Sequence, residues 1–242
     1  MFKRVPVGIE LEITQLLSSP GLRLEPHNHC VPLLEVIDVP NALDQKLMVM
    51  PFLRPFNKPR FQTFGEFVSF FIQICDVRPA QLPVRGHRWD LTIINPGSSV
   101  HARTKYRTQV RSFFLLENAY RGHTLRDCTP NNIMLDPSGM YPNGFHPIHI
   151  KRNQNFKGRA KRFTRTQRPT RYYLIDFGLS RRYKSRDALD EPLRGGDKSA
   201  PEHLLGRQCN PFQTDIYYLG NLVREYFLKV ISPKCRLDAW LT

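Results

Sequence analysis

The sequence predicts an α+β fold, and three observations carry that expectation. β-type runs gather in the first fifty residues, amphipathic helical spacing dominates later segments, and two short apolar strands bracket a loop of acidic and amide residues. Taken in order, Gly8 to Ser18 has helical spacing, with Ile9, Ile13, Leu16 and Leu17 on one face. Val31 to Val39 is a β-type run, and Lys46 to Met50 is another that ends at Pro51. Thr63 is placed to cap a helix from Phe64 to Cys75, with Glu66 at the third position of a capping box and Phe67, Phe70, Phe71 and Ile74 as its core stripe. From Asp76 to Phe113 prolines, glycines and arginines scatter without a period, and apolar spacing returns at Phe114-Leu115-Leu116. Ile133-Met134-Leu135 reads as a short strand, with Tyr172 to Ile175 as its partner. Thr214 is placed to cap a last helix in which Asp215, Tyr218, Leu219 and Leu222 recur at core spacing.

A chain of 242 residues, 40% hydrophobic and 24% charged, can bury a core of one or two domains. No run of eighteen apolar residues exists, and Met1-Phe2-Lys3-Arg4 has no signal-peptide hydrophobic region, so an intracellular protein, cytoplasmic or nuclear, with no membrane span is expected. The five cysteines are odd in number and widely spaced without a C-x-x-C pair, which argues against a disulfide framework and a zinc site. The formal charge of +15 sits almost wholly in two segments, Asp76 to Phe113 and the stretch from Lys151 to Arg171, which has nine basic residues and no acidic one. The second is expected to be a mobile surface loop, with docking of acidic protein, phospholipid or RNA as the alternative, and it alone carries a third reading of the chain as a basic nucleic-acid binder. Its aromatic interleaving, Phe156 and Phe163 alone, argues against specific single-strand nucleic-acid binding.

Four acidic signatures follow one another in the C-terminal half. They are Arg126-Asp127 with Asn132, then Asp176-Phe177-Gly178, then Ala200-Pro201-Glu202, then Asp215 opening an apolar stretch. Each has a bland reading as a turn, a strand exit or a helix start. In this order the set resembles the protein-kinase superfamily. Together with Asn28 to Pro32, the proline-rich Met50 to Phe56 and Tyr172 to Tyr183, it resembles the kinase-like proteins of mushroom-forming fungi.

The resemblance implies a bilobal fold, with a reduced β small lobe over residues 1–56 and a mainly helical large lobe over 57–242. The large lobe would be interrupted by insertions at about 76–113 and 137–171 and truncated after the helix that Asp215 opens. It implies ATP and Mg²⁺ as cofactors and transfer of phosphate to a protein hydroxyl. Asp127 would be the base, Asn132 and Asp176 the Mg²⁺ ligands, Lys3 the phosphate clamp and Glu10 its orienter, with Glu12 as a substitute. Backbone groups from Pro51 to Leu53 would bond the adenine, with Met50 guarding the pocket behind. Asp215 would brace the catalytic-loop backbone, and Arg126 would meet a phosphate on Tyr183, Ser185 or Ser199. The chain departs from the family in having no Gly-rich loop before Lys3, Leu125 where a His is usual, and Thr129 where a Lys is usual. Those departures keep open a pseudokinase-type binding or scaffold module without turnover. The 76–113 segment is also expected to be a retained non-coding stretch of the gene.

Overall fold

A computed structural model describes residues 1–26, 28–75, 123–185, 187–192 and 197–228. The 76–113 insertion and the Phe114-Leu115-Leu116 spacing lie outside the described residues.

The N-terminal sheet has strand order β1-β3-β2, from Phe2–Pro6 (β1), Gln45–Val49 (β3) and Glu35–Asp38 (β2), antiparallel throughout. Pairing of Lys3 with Met48 and of Val5 with Lys46 sets the register, and Val5 and Met48 enter the core. Between β1 and β2 lie α1 (Ile9–Leu17) and a single turn, α2 (Pro20–Arg23). The helix expected at Gly8 to Ser18 therefore forms, but its buried face differs from the apolar stripe. Glu10, Leu11, Ile13, Thr14 and Leu17 are buried, while Ile9 and Leu16 face solvent. The ion pair that Glu10 makes inside the fold sets the rotation of the helix.

A second sheet, order β4-β6-β7, joins Arg54–Pro55 (β4), Ile133–Leu135 (β6) and Tyr172–Leu174 (β7). It is stitched to the segment before β2, since Leu174 N donates to His29 O at 2.7 Å and Val31 N to Leu174 O at 3.0 Å. A third pairing, β5 (His123–Thr124) with β8 (Arg181–Arg182), ties the start of the acidic loop to the chain beyond Gly178.

Helix α3 (Phe64–Cys75) starts as its capping residues dictate. Thr63 Oγ1 accepts from Glu66 N at 3.1 Å, and Glu66 Oε2 accepts from Gln62 N at 2.8 Å. Its inner side joins a cluster of rings in which Phe56 stacks on Phe70 at 4.9 Å and Phe70 meets Tyr172 edge-on at 4.8 Å. Such pairs add about 0.5–1.5 kcal/mol each beyond burial. One core runs through Val5, Ile13, Met48, Phe56, Phe70, Ile133, Tyr172 and Leu222, across both sheets and the helices.

After the short α4 (Pro201–Leu205), the last helix α5 spans Pro211–Val223 and ends in a π-helical turn, Arg224–Leu228. It begins at Asn210, whose Oδ1 accepts from Phe212 N at 3.0 Å, with Pro211 in the first turn. The sequence expectation placed the cap at Thr214; that hydroxyl instead donates to Glu202 Oε1.

The excursion 137–171 is anchored against α3 and β4. Arg165, 5% exposed, donates to Phe56 O and Pro59 O at 2.7 Å and to Arg60 O at 3.2 Å. Arg54 donates to Ile150 O at 2.8 Å, and its guanidinium lies over the rings of Tyr141 and Phe145 at 4.4 and 4.2 Å. Glu66 Oε1 accepts from Thr166 N at 3.1 Å, so one carboxylate both caps α3 and holds the excursion. Seven of the nine basic side chains from Lys151 to Arg171 remain exposed.

Candidate active site

The two ends of a short polar cleft come from opposite parts of the chain. Lys3 projects from β1, and Glu10 sits in the first turn of α1 with 8% exposure. Lys3 Nζ donates to Glu10 Oε1 at 2.5 Å and to Asp176 Oδ1 at 2.8 Å. Burial lowers the lysine's affinity for its proton, but its hydrogen bonds to Asp176 and Glu10 outweigh that, and the net shift is upward. Lys3 therefore stays a cation held between two carboxylates.

Asp176 follows β7 in a left-handed backbone conformation, φ 63°, which Asp tolerates better than most residues. Phe177 is driven into the core on one side. On the other, Gly178 N donates to Asp176 Oδ1 at 3.3 Å. A Cβ on Gly178 would lie 3.2 Å from Asp176 Oδ1 and 3.3 Å from Glu10 Oε2, so a larger residue there would press on both carboxylates by a few tenths of an ångström.

Asp127 and Asn132 occupy the loop between β5 and β6, closed by a 3₁₀ turn at Pro130–Asn132. Asn132 Nδ2 donates to Asp127 Oδ2 at 2.7 Å and to Asp127 O at 3.0 Å. Asp127 Oδ1 is buried and has no hydrogen-bond partner among the described residues. Burial, and secondarily the charge of Asp176, raises the Asp127 carboxyl above its usual range, against hydrogen bonds from Asn132 and Thr129. Ile175 N donates to Asn132 O at 2.9 Å, which sets Asn132 beside the strand that delivers Asp176. Because the amide nitrogen of Asn132 is engaged with Asp127, its Oδ1 is left as an acceptor. That oxygen and the half-exposed Asp176 carboxylate are hard donors of the type Mg²⁺ takes, while no cluster of three or more His, Cys, Asp or Glu side chains is placed to hold a metal ion among the described residues.

The loop is braced from behind. Leu125 N donates to Asp215 Oδ2 at 2.9 Å, and Leu125 O accepts from Ser180 Oγ at 3.3 Å. Asp215 is buried, and that burial pushes its carboxyl up to about 7 despite the backbone amides of Leu125 and Arg126 that oppose the shift. Arg126, also at positive φ (58°), donates to Asp190 Oδ2 at 2.5 Å, Tyr183 OH at 2.7 Å and Glu191 O at 2.6 Å. The Tyr183 hydroxyl, with the Arg126 charge, holds the Asp190 carboxyl down at about 2 against an ordinary 3.8.

A pocket of about 170 Å³ opens beside this cluster, lined by Lys3, Glu10, Thr14, Met48, Met50 and Asp176 among others. It is smaller than the roughly 300–1,000 Å³ of a site that engulfs a whole small molecule, so it has room for only part of one. Met50 lines the pocket. Pro51 and Leu53 do not line the pocket; Leu53 is packed in the core, and Pro51 has no N–H to offer.

Sequence reasoning missed Asp190 and Ser180. Neither carries a local signal, because each acts on a residue more than fifty positions away. No protein-family model matches the chain, and no curated protein matches it.

Proposed function

We propose that the chain is an ATP-dependent, protein-kinase-like phosphotransferase acting on a protein hydroxyl. The observation that carries this reading is Lys3 bridging Glu10 and Asp176, with Asp127 and Asn132 hydrogen-bonded to each other on the adjoining loop. Support also comes from Asp215 and Ser180 holding Leu125, and from Met50 at the wall of the pocket. In this reading the cleft divides a bilobal, kinase-like fold.

Asp127 accepts the proton of the acceptor hydroxyl at its carboxylate, which Asn132 holds in place through Oδ2. The upward shift of the Asp127 carboxyl makes it a better base than a solvated aspartate. Lys3, oriented by Glu10, presents its cation to the nucleotide phosphates. Asn132 and Asp176 would hold Mg²⁺, which when bound neutralises phosphate charge. Met50, at the pocket wall, would stand beside the base. Rate acceleration would come from positioning and charge placement.

A second reading, a binding or scaffold module without turnover, draws on Thr129, a buried hydroxyl where the transfer chemistry is helped by a second cation. Thermal melting with ATP, with and without Mg²⁺, followed by a phosphate-transfer assay, separates the two. The expected result is a Mg²⁺-dependent rise in melting temperature that Asp176→Ala abolishes, and transfer that Asp127→Asn abolishes. A rise without transfer favours a module that keeps nucleotide, and no rise in a cooperatively melting protein rejects the phosphotransferase and leaves a scaffold that does not bind it.

A further inference from the structure

The excursion contains an assembly that the cleft does not use. Residues 151–160 close into a tight hairpin, with Ala160 N donating to Lys151 O and Asn153 N to Gly158 O, both at 3.0 Å. Arg152 and Arg159 lie directly opposite each other across it. Like charges in that relation weaken an antiparallel pair. The sequence has no carboxylate between Pro137 and Ile175, and neither arginine has a carboxylate partner among the described residues.

At the turn of the hairpin stands Phe156, 49% exposed and at φ 62°, a conformation that Gly or Asn adopts with far less strain. Strain of this kind at an exposed aromatic is a mark of use. Two imidazoles edge its ring, His146 at 5.3 Å and His149 at 5.0 Å between centroids, and the Arg152 guanidinium lies 5.6 Å from its centre. The arrangement is held in place. His146 N donates to Arg152 O at 2.9 Å, and Gly144, at φ 66°, passes so close to Gln154 that a Cβ would lie 2.3 Å from its amide nitrogen. Rings that are seven and ten residues apart in sequence thus meet on one cationic surface.

We propose that this hairpin is a binding site for single-stranded nucleic acid, with a base stacked on Phe156 and backbone phosphate drawn between Arg152 and Arg159. A base has a flat face for an exposed ring, and the phosphate supplies the charge that the arginine pair lacks. An acidic peptide would use the cations and leave the ring idle. A lipid surface is disfavoured because two imidazoles and a guanidinium surround the ring and would have to lose water for it to insert. The site does not depend on the phosphotransfer reading, and the result for one leaves the other standing.

The test is fluorescence anisotropy of labelled dodecamers of uridine and of deoxythymidine with the full chain, at 50 mM salt and above. Saturable binding of either oligomer is expected, weakened at least about fivefold by Phe156→Ala and restored by Phe156→Trp. Arg152→Glu with Arg159→Glu should weaken it further and flatten the salt dependence by roughly 0.7 in log–log slope for each phosphate no longer neutralised. Phe156→Gly should melt higher than the parent while binding less, because it relieves the backbone and removes the platform. A ring that serves only structure would do the reverse, melting lower with binding unmoved. The proposal is overturned by no binding of either oligomer at 50 mM salt, or by full affinity in folded Phe156→Ala. Equal affinity for polyglutamate or for phosphatidylserine vesicles overturns it as well, since bare charge would then suffice.

Discussion

The cleft and the excursion handle charge in opposite ways. In the candidate site the described cations meet carboxylates at close range, Lys3 with Glu10 and Asp176, and Arg126 with Asp190. In the excursion the anchoring cations meet dipoles instead. Arg165 binds three backbone carbonyls, Arg54 binds Ile150 O and Lys58 O, and Arg171 binds Pro26 O and Asn28 O. A carbonyl satisfies the donors of a guanidinium without cancelling its charge. The cations of the cleft are thus compensated at contact and those of the excursion are not, although both regions are held by hydrogen bonds of similar length. Good geometry and charge compensation are separate properties, and the excursion keeps its positive charge open to an anionic partner.

That contrast can be broken by substitution, and the largest effect is expected in the cleft. Asp127→Asn should lower phosphate transfer by about 100-fold or more while ATP binding persists, since general-base assistance contributes about 10²–10⁴. A loss of less than about tenfold in a transfer assay would remove Asp127 from the chemistry. Next comes Arg165→Leu, which strands the carbonyls of Phe56 and Pro59 and should cost about 3 kcal/mol in urea unfolding. Arg165→Lys should not recover it, because an ammonium lacks the planar fork. The exposed Arg168→Leu should stay within about 0.5 kcal/mol, and a cost like that of Arg165 would erase the distinction between anchoring and solvated cations.

A smaller effect separates carboxylate from carbonyl pairing by pH. The folded Asp190 carboxyl sits at about 2, below its ordinary 3.8, so its contribution to stability is complete above about pH 4 and disappears as pH falls through 2. Asp190→Asn should flatten that part of a melting-temperature profile, whereas Arg165 variants should leave its shape unchanged. Smallest is Phe156→Gly, expected to raise unfolding free energy by about 1 kcal/mol through release of the left-handed strain.

How much of this was legible in the sequence varied with the range of the interactions. The start of α3 was readable because Thr63 and Glu66 act on amides within four residues. The pairing of β6 with β7 was readable from two short apolar runs, with β7 ending at Leu174. The phase of α1 was not, since spacing reports a period while the burial of Glu10 and Thr14 depends on β1 and the cleft. The start of α5 was misplaced because two capping residues compete within four positions, and Asn210 followed by proline is the stronger. The family resemblance singled out Lys3, Glu10, Asp127, Asn132 and Asp176 as one set, and in the structure they form two hydrogen-bonded groups, Lys3 with Glu10 and Asp176, and Asp127 with Asn132. The anchoring of the excursion left no trace in the sequence. Its acceptors are backbone carbonyls, which every residue has, and nothing in side-chain pattern marks the ones a buried arginine will choose.

Leu125 offers a last consequence. Its N–H is taken by Asp215 and its carbonyl by Ser180, one side chain from the last helix and one from the stretch beyond Gly178. A single loop peptide is thus sensitive to two distant segments at once. Its amide proton should exchange with solvent only when the loop parts from the helix that carries Asp215, which makes one isotope-exchange rate a gauge of whether the loop is docked.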